Sequence, residues 1–386
     1  MPSKKRGTVW KAEPHTLAKI AMLKAYLHAY FPILGTTKRG LPFLYVDGFA
    51  GPGEYTNSAE CSPLAALAAA KVTRGQLGEK WVAGAITCIF MEPDHSRCEH
   101  LRGRIKGFAD DPFLLIKVME KSFVDGMAQL MKELPQPFAS SDPLFVFIDP
   151  FGATGVPFDV VRRILATECS EVLINLDADG VVRIFSAANP NRDEQLTAVF
   201  GDESWRSALL PEEPFDVLCR RVLELYKTKL RALAGISYVF AFEMRGKTDA
   251  LNYYLVFASH NPLGLTKMKE AMRTIDQSGQ YMFSDGGIGQ DLLFRFDDPK
   301  HFADALHKKF ENRKAAYEEL NDFALNETPF INPKAMLRSL EDRSMVKVES
   351  SNPKRRRNEF NEKTLVSVTF VRPTSGPRGL FDGNAE

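Results

Sequence analysis

The feature that most constrains the fold is a series of short apolar runs, rich in β-branched and aromatic residues, that alternate with longer helical patterns. Such alternation is typical of repeated βαβ units and of a parallel sheet. The runs at 144–148 and 171–176 are almost unbroken in hydrophobicity, which predicts strands buried on both faces. The sequence therefore predicts an open, mainly parallel, seven-stranded α/β sheet of Rossmann-like type. Its predicted strands are Phe43–Val46, Ala85–Met91, Phe113–Val118, Leu144–Ile148, Glu171–Leu176, Tyr238–Phe242 and Asn252–Ala258.

The length of 386 residues exceeds that of a usual single domain, and the sequence pattern changes near residue 300. Residues 1–300 are predicted to form the α/β domain, with an N-terminal helix and a helical insertion near 187–235. Residues 301–372 are predicted to form a winged-helix-like module, and residues 373–386 a tail. The module is predicted from a helix at Phe302–Leu325, a short helix at Lys334–Leu340, and two alternating stretches, Met345–Val348 and Thr364–Val371.

Composition excludes several classes of protein. No apolar run approaches the roughly 20 residues that a membrane span needs, and no signal-peptide core follows the basic N-terminus. The five cysteines are scattered and form no C-x-x-C, so no metal or cluster site is predicted. We therefore expect a soluble, cytoplasmic protein with reduced thiols.

The first candidate site is the glycine turn that follows the first predicted strand, Tyr45-Val-Asp-Gly-Phe-Ala-Gly-Pro-Gly53. Glycines let the backbone approach a ligand and leave main-chain N–H groups facing it. A dinucleotide fingerprint is disfavoured, because residues 54–61 separate the turn from the next helix, whose start is predicted at the Ser62 cap and Pro63. An ordinary strand-to-helix turn remains the alternative. The candidate ligand-binding residues are Asp47, Gly48, Phe49, Ala50, Gly51 and Gly53.

The second candidate site is at the end of the fourth predicted strand, where Asp149-Pro150-Phe151-Gly152 follows the apolar run 144–148. Its Asp149, Pro150 and Phe151 are the candidate catalytic residues. The alternative is a turn that merely closes a buried strand.

The glycine turn resembles motif I of S-adenosylmethionine-dependent methyltransferases, in the F-x-G-x-G variant of enzymes that methylate exocyclic base nitrogens. The resemblance implies that Asp47 faces the methionine amino group, while Gly51 and Gly53 line its tail. It also implies an acidic residue at the end of the second strand that accepts both ribose hydroxyls, and Glu92 is at that position.

Two further elements resemble the same enzymes. Glu120 and Ser122 follow the third predicted strand, where the pattern places a polar residue near the adenine amine; capping of the next helix is the alternative. Asp149-Pro150-Phe151-Gly152 is similar to the D-P-P-Y motif, whose acid and carbonyl orient the target amine. Here Phe151 replaces the second proline, and Gly152 replaces the aromatic residue that stacks on the base.

Together with Ser62-Pro63-Leu64, Phe147-Ile-Asp-Pro-Phe-Gly-Ala-Thr-Gly-Val-Pro and Met268-Lys-Glu-Ala-Met, these motifs closely resemble the bacterial and phage-associated three-Cys-motif partner protein family. The resemblance runs from about His15 to Ile275. It implies a class I methyltransferase-like fold, S-adenosyl-L-methionine as cofactor, and association with a separate radical-enzyme-like protein that carries a three-cysteine motif.

The leading interpretation is a methyltransferase-like protein that acts on nucleic acid, at an exocyclic base nitrogen. A non-catalytic subunit that presents substrate or cofactor to the radical-enzyme-like partner is the runner-up, and a nicotinamide-dependent dehydrogenase is a third option. The basic segment Lys354, Arg355, Arg356, Arg357 could be a wing that contacts phosphates, or a solvated loop. His15 and His28 are interpreted as packing or surface residues.

Overall fold

The structure is a computed structural model that describes residues 7–109, 111–139, 142–187, 190–288 and 296–371. The chain divides into two compact units, Met1–Leu293 and Phe294–Glu386. The predicted tail, 373–386, lies outside the described residues.

The described strands of the first unit form one sheet in the order β3-β2-β1-β4-β5-β7-β6-β8. All neighbouring pairs are parallel except those made by β7, which runs antiparallel to both β5 and β6. The prediction of an open, mainly parallel α/β sheet is confirmed. The strands are β1 (Phe43–Asp47), β2 (Ile86–Met91), β3 (Leu114–Met119), β4 (Leu144–Ile148), β5 (Ser170–Leu176), β6 (Tyr238–Arg245), β7 (Leu251–Ser259) and β8 (Met282–Ser284).

The predicted number of seven strands was wrong, because the described part of the sheet has eight. The additional strand, β8, has three residues and pairs in parallel with Glu243–Arg245 of β6. Three residues are too few to carry an alternating pattern. This strand is therefore defined by its pairing with β6 and not by its own sequence.

Helices cover both faces of this sheet. Three of them are α1 (Pro14–Thr37), α2 (Ser62–Leu77) and α10 (Pro262–Ile275). On one face of the sheet, α1 packs between α2 and α10. The other described helices of the unit are α3 (His95–Ile105), α4 (Phe123–Glu133), α5 (Phe158–Ile164), α6 (Ala178–Ser186), α7 (Arg192–Phe200), α8 (Trp205–Ala208) and α9 (Phe215–Ala234), with single 3-10 turns at Gly78–Lys80, Lys106–Phe108, Gln136–Phe138 and Asp285–Gly287.

Alternate strand residues supply two cores, since successive side chains point to opposite faces of a sheet. Val46, Val146 and Val172 pack with residues of α4 to α9 in one large cluster. On the opposite face, the Tyr26 ring of α1 lies 5.3 Å from the rings of both Phe145 and Phe257. Burial on both faces explains why the central strands are nearly continuous in hydrophobicity.

The first residues of α2 and α3 are arranged differently. Asp94 caps α3, its carboxylate accepting the Arg97 N–H at 3.0 Å. Ser62 was predicted to be an N-cap, but it is the first residue of α2, and Cys61 takes the cap position. The hydroxyl of Ser62 is therefore left to face the interior near Asp47.

The second unit contains α11 (Pro299–Phe310), β9 (Lys314–Ala315), α12 (Tyr317–Glu327), α13 (Lys334–Asp342), β10 (Val346–Ser350) and β11 (Leu365–Phe370). Its described strands form an antiparallel sheet in the order β10-β11-β9.

The prediction of a single helix at Phe302–Leu325 was wrong. The chain leaves α11 through Asn312, whose φ of +60° ends the helix, and then forms β9 before α12 begins. Pairing of β9 with Val368 and Thr369 of β11 favours this break over a continuous helix. The designation of this module as winged-helix-like stays a prediction.

Candidate functional site

A cavity of about 570 Å³ opens in the first unit where the chain leaves β1, β4 and β5. The strand order reverses between β1 and β4, and open α/β sheets bind ligands in the crevice at such a switch point. Residues from both predicted sites line this cavity, together with residues of the N-terminal segment, β5 and β7. They include Phe49, Ala50, Gly51, Asp149, Pro150, Phe151, Asn175, Tyr253, Trp10, His15 and Lys19.

The glycine turn has the geometry of a close backbone approach. Gly51 and Gly53 have φ values of +63° and +78°, a region that glycine alone occupies without strain. A Cβ atom on Gly53 would lie 2.7 Å from the Leu101 side chain of α3. The turn is therefore packed against α3 on one side and presents Phe49 to Gly51 to the cavity on the other.

Asp47 ends β1 and is completely buried beneath the turn. Its Oδ1 accepts the Phe49 N–H at 3.2 Å, and its Oδ2 has no hydrogen-bond partner in the described part of the chain. Burial raises the pKa of this carboxyl to about 7, although the Ser62 hydroxyl and the Phe49 N–H oppose the shift. The adjacent Gly48 N–H is used by β4, where it donates to the Phe147 carbonyl at 2.9 Å.

Glu92 follows β2 and is also buried, with 3% of its surface exposed. Its Oε1 accepts the Asp94 N–H at 3.0 Å and lies 3.6 Å from the Arg97 guanidinium. Burial raises the pKa of Glu92, while the N–H groups of Asp94 and Gly51 oppose the shift. Arg97 in turn lies 5.0 Å from the centre of the Trp10 ring. Glu92 is beside the glycine turn, but it is not among the described residues that line the cavity.

The two residues predicted after β3 have local roles. Glu120 contacts His95 at 2.9 Å on the surface, and Ser122 caps α4 by accepting the Asp125 N–H at 3.2 Å. Neither is among the described residues that line the cavity. Their predicted contact with the adenine amine stays a prediction.

Asp149 is at the cavity wall, directly after β4. Its Oδ1 accepts two hydrogen bonds, from Lys19 Nζ at 2.6 Å and from Asn175 Nδ2 at 2.8 Å. The same ammonium lies 5.1 Å from the centre of the Tyr253 ring. Lys19 is only 4% exposed, so a buried cation from α1 sits at the position where the sequence predicts chemistry.

Aromatic side chains flank this pair. Phe151 is 62% exposed, and its ring centre lies 5.8 Å from that of Trp10, which in turn lies 5.9 Å from that of Tyr55. Pro150 lines the cavity between Asp149 and this aromatic group.

Reasoning from the sequence missed the contribution of the N-terminal segment. The Thr56 N–H donates to the Trp10 carbonyl at 2.9 Å, and the Asn57 side chain bonds both the N–H and the carbonyl of Ala12. These bonds fix residues 10–12 across the glycine turn.

His15, Lys19, Asn175 and Tyr253 were also missed as cavity residues. A signal existed for two of them. His15 and Lys19 are four positions apart on a predicted helix, which places them on one face.

The basic segment of the second unit is partly engaged by the unit itself. Arg355 forms a two-bond ion pair with Glu341, with both distances at 2.9 Å, and Arg357 donates to the Glu341 carbonyl at 3.0 Å. The side chains of Lys354 and Arg356 make no hydrogen bond with any other described residue. Contact of this segment with nucleic acid stays a prediction.

The described residues contain neither a metal-binding cluster nor a membrane-spanning helix. No group of three or more His, Cys, Asp or Glu side chains there could hold a metal ion. No helix there combines the length and apolarity that a membrane crossing requires.

No protein-family model and no curated protein sequence matches the chain. Among solved structures, an O-methyltransferase from Bacillus cereus in complex with SAH is similar with 12% identity and a TM-score of 0.33, over 61% of this chain and 80% of that one. The O-methyltransferase TomG from Streptomyces achromogenes, in complex with SAM, is similar with 12% identity and a TM-score of 0.33, over 65% of this chain and 92% of that one. At such low scores, the description of the fold rests on the strand order of the sheet itself.

Proposed function

We propose that the first unit binds S-adenosyl-L-methionine in this cavity and that the protein transfers its methyl group to nucleic acid. The observation that carries the proposal is that the turn after β1 and Asp149 after β4 border one cavity at the switch point of the sheet.

The residues around the turn fit such a ligand. The buried Oδ2 of Asp47 has no hydrogen-bond partner among the described residues, and it could accept a hydrogen bond from the ligand's amino group. The family resemblance assigns the ribose hydroxyls to Glu92, which lies beside the turn but outside the cavity lining, and Gly51 leaves the backbone open to the ligand. The bound compound would supply an electrophilic methyl group carried on a sulfonium.

The chain's own contribution is orientation of the acceptor. Because both hydrogen bonds of Asp149 engage Oδ1, its Oδ2 is left to accept a hydrogen bond from the acceptor group. The ring of Phe151 could stack on a nucleic-acid base. The resemblance points to an exocyclic base nitrogen as acceptor, but the departure of this motif from D-P-P-Y leaves room for another acceptor atom.

Two further parts of the proposal derive from the sequence. The second unit would position nucleic acid as a winged-helix-like module, with Lys354 and Arg356 directed to phosphates. The three-cysteine-motif, radical-enzyme-like protein would be the partner, as the family resemblance implies.

A second candidate function is favoured by the ion pair at Asp149. If Lys19 holds this carboxylate permanently, the protein would bind the cofactor or substrate without turnover and present it to the partner.

Calorimetry with S-adenosylmethionine tests the common part of both functions. We expect measurable binding that weakens at least roughly tenfold in Glu92→Ala and Gly51→Val, the second because valine is strained at a φ of +63°. Glu99→Ala is the matched control, since Glu99 pairs with Arg102 on the exposed face of α3. Undetectable binding by both the wild-type chain and its complex with the partner would contradict the proposal.

A further inference from the structure

His15 and Asp285 form a pair at the cavity. The Nδ1 atom of His15 lies 2.8 Å from Asp285 Oδ2, and the side chain of Asp285 is only 2% exposed. The His15 ring lines the cavity, and its Nε2 has no hydrogen-bond partner among the described residues. In a neutral imidazole, donation from Nδ1 to a carboxylate leaves Nε2 as the proton acceptor. The pair therefore has the arrangement of an oriented general base.

This histidine belongs to the same cluster as the Asp149 site. His15 precedes Lys19 by one turn of α1, and its ring centre lies 5.7 Å from that of Tyr253, over which the Lys19 ammonium is placed. The Tyr253 hydroxyl is buried without a hydrogen-bond partner in the described chain. Apart from Asp285, the charged groups around this cavity include Lys19 with Asp149 and the exposed pair of Glu13 with Lys247, and the cavity is also lined by Lys11, Asp177 and Asp179.

Resting on the proposed transfer of a methyl group to nucleic acid, we propose that His15, held by Asp285, is the general base for a hydroxyl acceptor. The methyl group then goes to a ribose hydroxyl of RNA and not to a base nitrogen. The cavity holds the two groups that an oxygen acceptor needs, a base for its proton and a buried cation, Lys19, that favours the developing oxyanion. The 2′-hydroxyl is also the group by which a protein distinguishes RNA from DNA.

The requirement for a base separates the two acceptors. A hydroxyl is a poor nucleophile until its proton is removed, so a base must act as the new bond forms. An amine attacks through its lone pair and can lose its proton after methylation.

In the proposed methyl transfer, atoms and electrons balance. The hydroxyl proton moves to Nε2 of His15, and the oxygen lone pair forms the new carbon–oxygen bond. The carbon–sulfur bond breaks, its electron pair stays on sulfur, and the sulfonium becomes a neutral thioether. The imidazolium, stabilised by Asp285, then releases its proton to solvent.

The first test needs no turnover. Long-range proton–nitrogen NMR of the ligand-free protein at alkaline pH distinguishes the two imidazole tautomers. We expect His15 in the Nδ1–H form, with a shift towards the other form in Asp285→Asn. His28, exposed on the same helix, is the internal control and should be unaffected. An Nε2–H form in the wild type would overturn the role of His15 as base.

The second test uses tritiated S-adenosylmethionine with total bacterial RNA and, separately, total DNA, followed by nuclease digestion and mass spectrometry. We expect methylation of RNA on ribose oxygen. His15→Gln should lower turnover roughly 100-fold to 10,000-fold. Its cofactor affinity should be unchanged, and His28→Gln should behave as wild type.

The results separate this inference from the proposed function. Methylation of base nitrogens with full activity of His15→Gln would overturn the inference and leave the methyltransferase proposal intact. Cofactor binding without methylation of RNA would also overturn the inference, and it would favour the non-catalytic role. Absence of cofactor binding would contradict the proposed function itself, whereas the tautomer of His15 would still be measurable.

Discussion

The Nζ atom of Lys19 lies 2.6 Å from Oδ1 of Asp149, although 130 residues separate them in the sequence. The pair joins α1 to the end of β4 inside the cavity. Asp149 retains 22% exposure of its side chain, so solvent screening reduces the strength of the pair below that of a fully buried one. Oδ1 also accepts a hydrogen bond from Asn175 Nδ2, and neither bond engages Oδ2, which leaves that oxygen for a ligand.

Loss of one member of this pair should destabilise the protein more than loss of both. We expect Asp149→Asn to lower the free energy of unfolding by about 2 kcal/mol, because it leaves the Lys19 cation buried with a neutral partner. The double variant Lys19→Met with Asp149→Asn should recover at least about 1 kcal/mol of that loss. Urea unfolding of the wild type, Lys19→Met, Asp149→Asn and the double variant measures this coupling. Additive effects of the two substitutions would contradict it.

The carboxyl of Asp47 should make the stability of the free protein depend on pH. Burial raises its folded-state pKa to about 7 from an ordinary 3.8. Between these two pKa values, the unfolded chain binds fewer protons at Asp47 than the folded protein does. The stabilisation that protonated Asp47 contributes is therefore fully present below the unfolded pKa and is lost as pH rises through the folded pKa. The full effect is about 4 kcal/mol. In Asp47→Asn this loss should disappear, as urea unfolding across that pH range would measure.

The exposed Asp159→Asn, on α5, is the control for Asp47, because Asp159 forms a surface ion pair with the nearby Arg162. Its stability should follow the wild-type pH dependence. Equal pH dependence in wild type and Asp47→Asn would show that Asp47 does not titrate in this range.

Trp10 should report ligand binding by its fluorescence. It lines the cavity over the glycine turn, whereas the other two tryptophans, Trp81 and Trp205, are buried elsewhere in the unit. Titration with S-adenosylhomocysteine should change the emission of the wild-type protein and of Trp81→Phe, but not that of Trp10→Phe. An unchanged response in Trp10→Phe would place the ligand away from the N-terminal segment.

The basic segment of the second unit provides a matched pair of charge reversals. Arg355 and Glu341 are 16% and 13% exposed, so Arg355→Glu should destabilise this unit by about 3 kcal/mol. Arg356→Glu removes no side-chain hydrogen bond within the described chain and should leave stability unchanged.

If the segment contacts phosphates, Arg356→Glu should also weaken binding to duplex DNA and reduce the salt slope by about 1. A filter-binding titration at several salt concentrations measures this slope. An unchanged slope would identify the segment as a solvated loop.

Local sequence determined most of the first unit. Apolar runs such as 144–148 specify buried strands because a parallel sheet covered on both faces excludes polar side chains at nearly every position. The glycine turn and Asp149 could be predicted as site residues, because each directly follows such a strand and the carboxyl ends of parallel strands meet at one edge. The cap at Asp94 is also a local feature, because an aspartate just before a helix accepts a backbone N–H of its first turn.

Tertiary structure decided the chemistry of the cavity. Lys19 meets Asp149 across 130 residues, and His15 meets Asp285 across 270, and no spacing in the sequence records either contact. These pairs exist because α1 packs between α2 and α10 and because β8 joins the edge of the sheet at β6. Sequence patterns report which face of an element is buried. Which buried charges face each other depends on how distant elements pack, and that is settled by the shapes of the two cores as a whole.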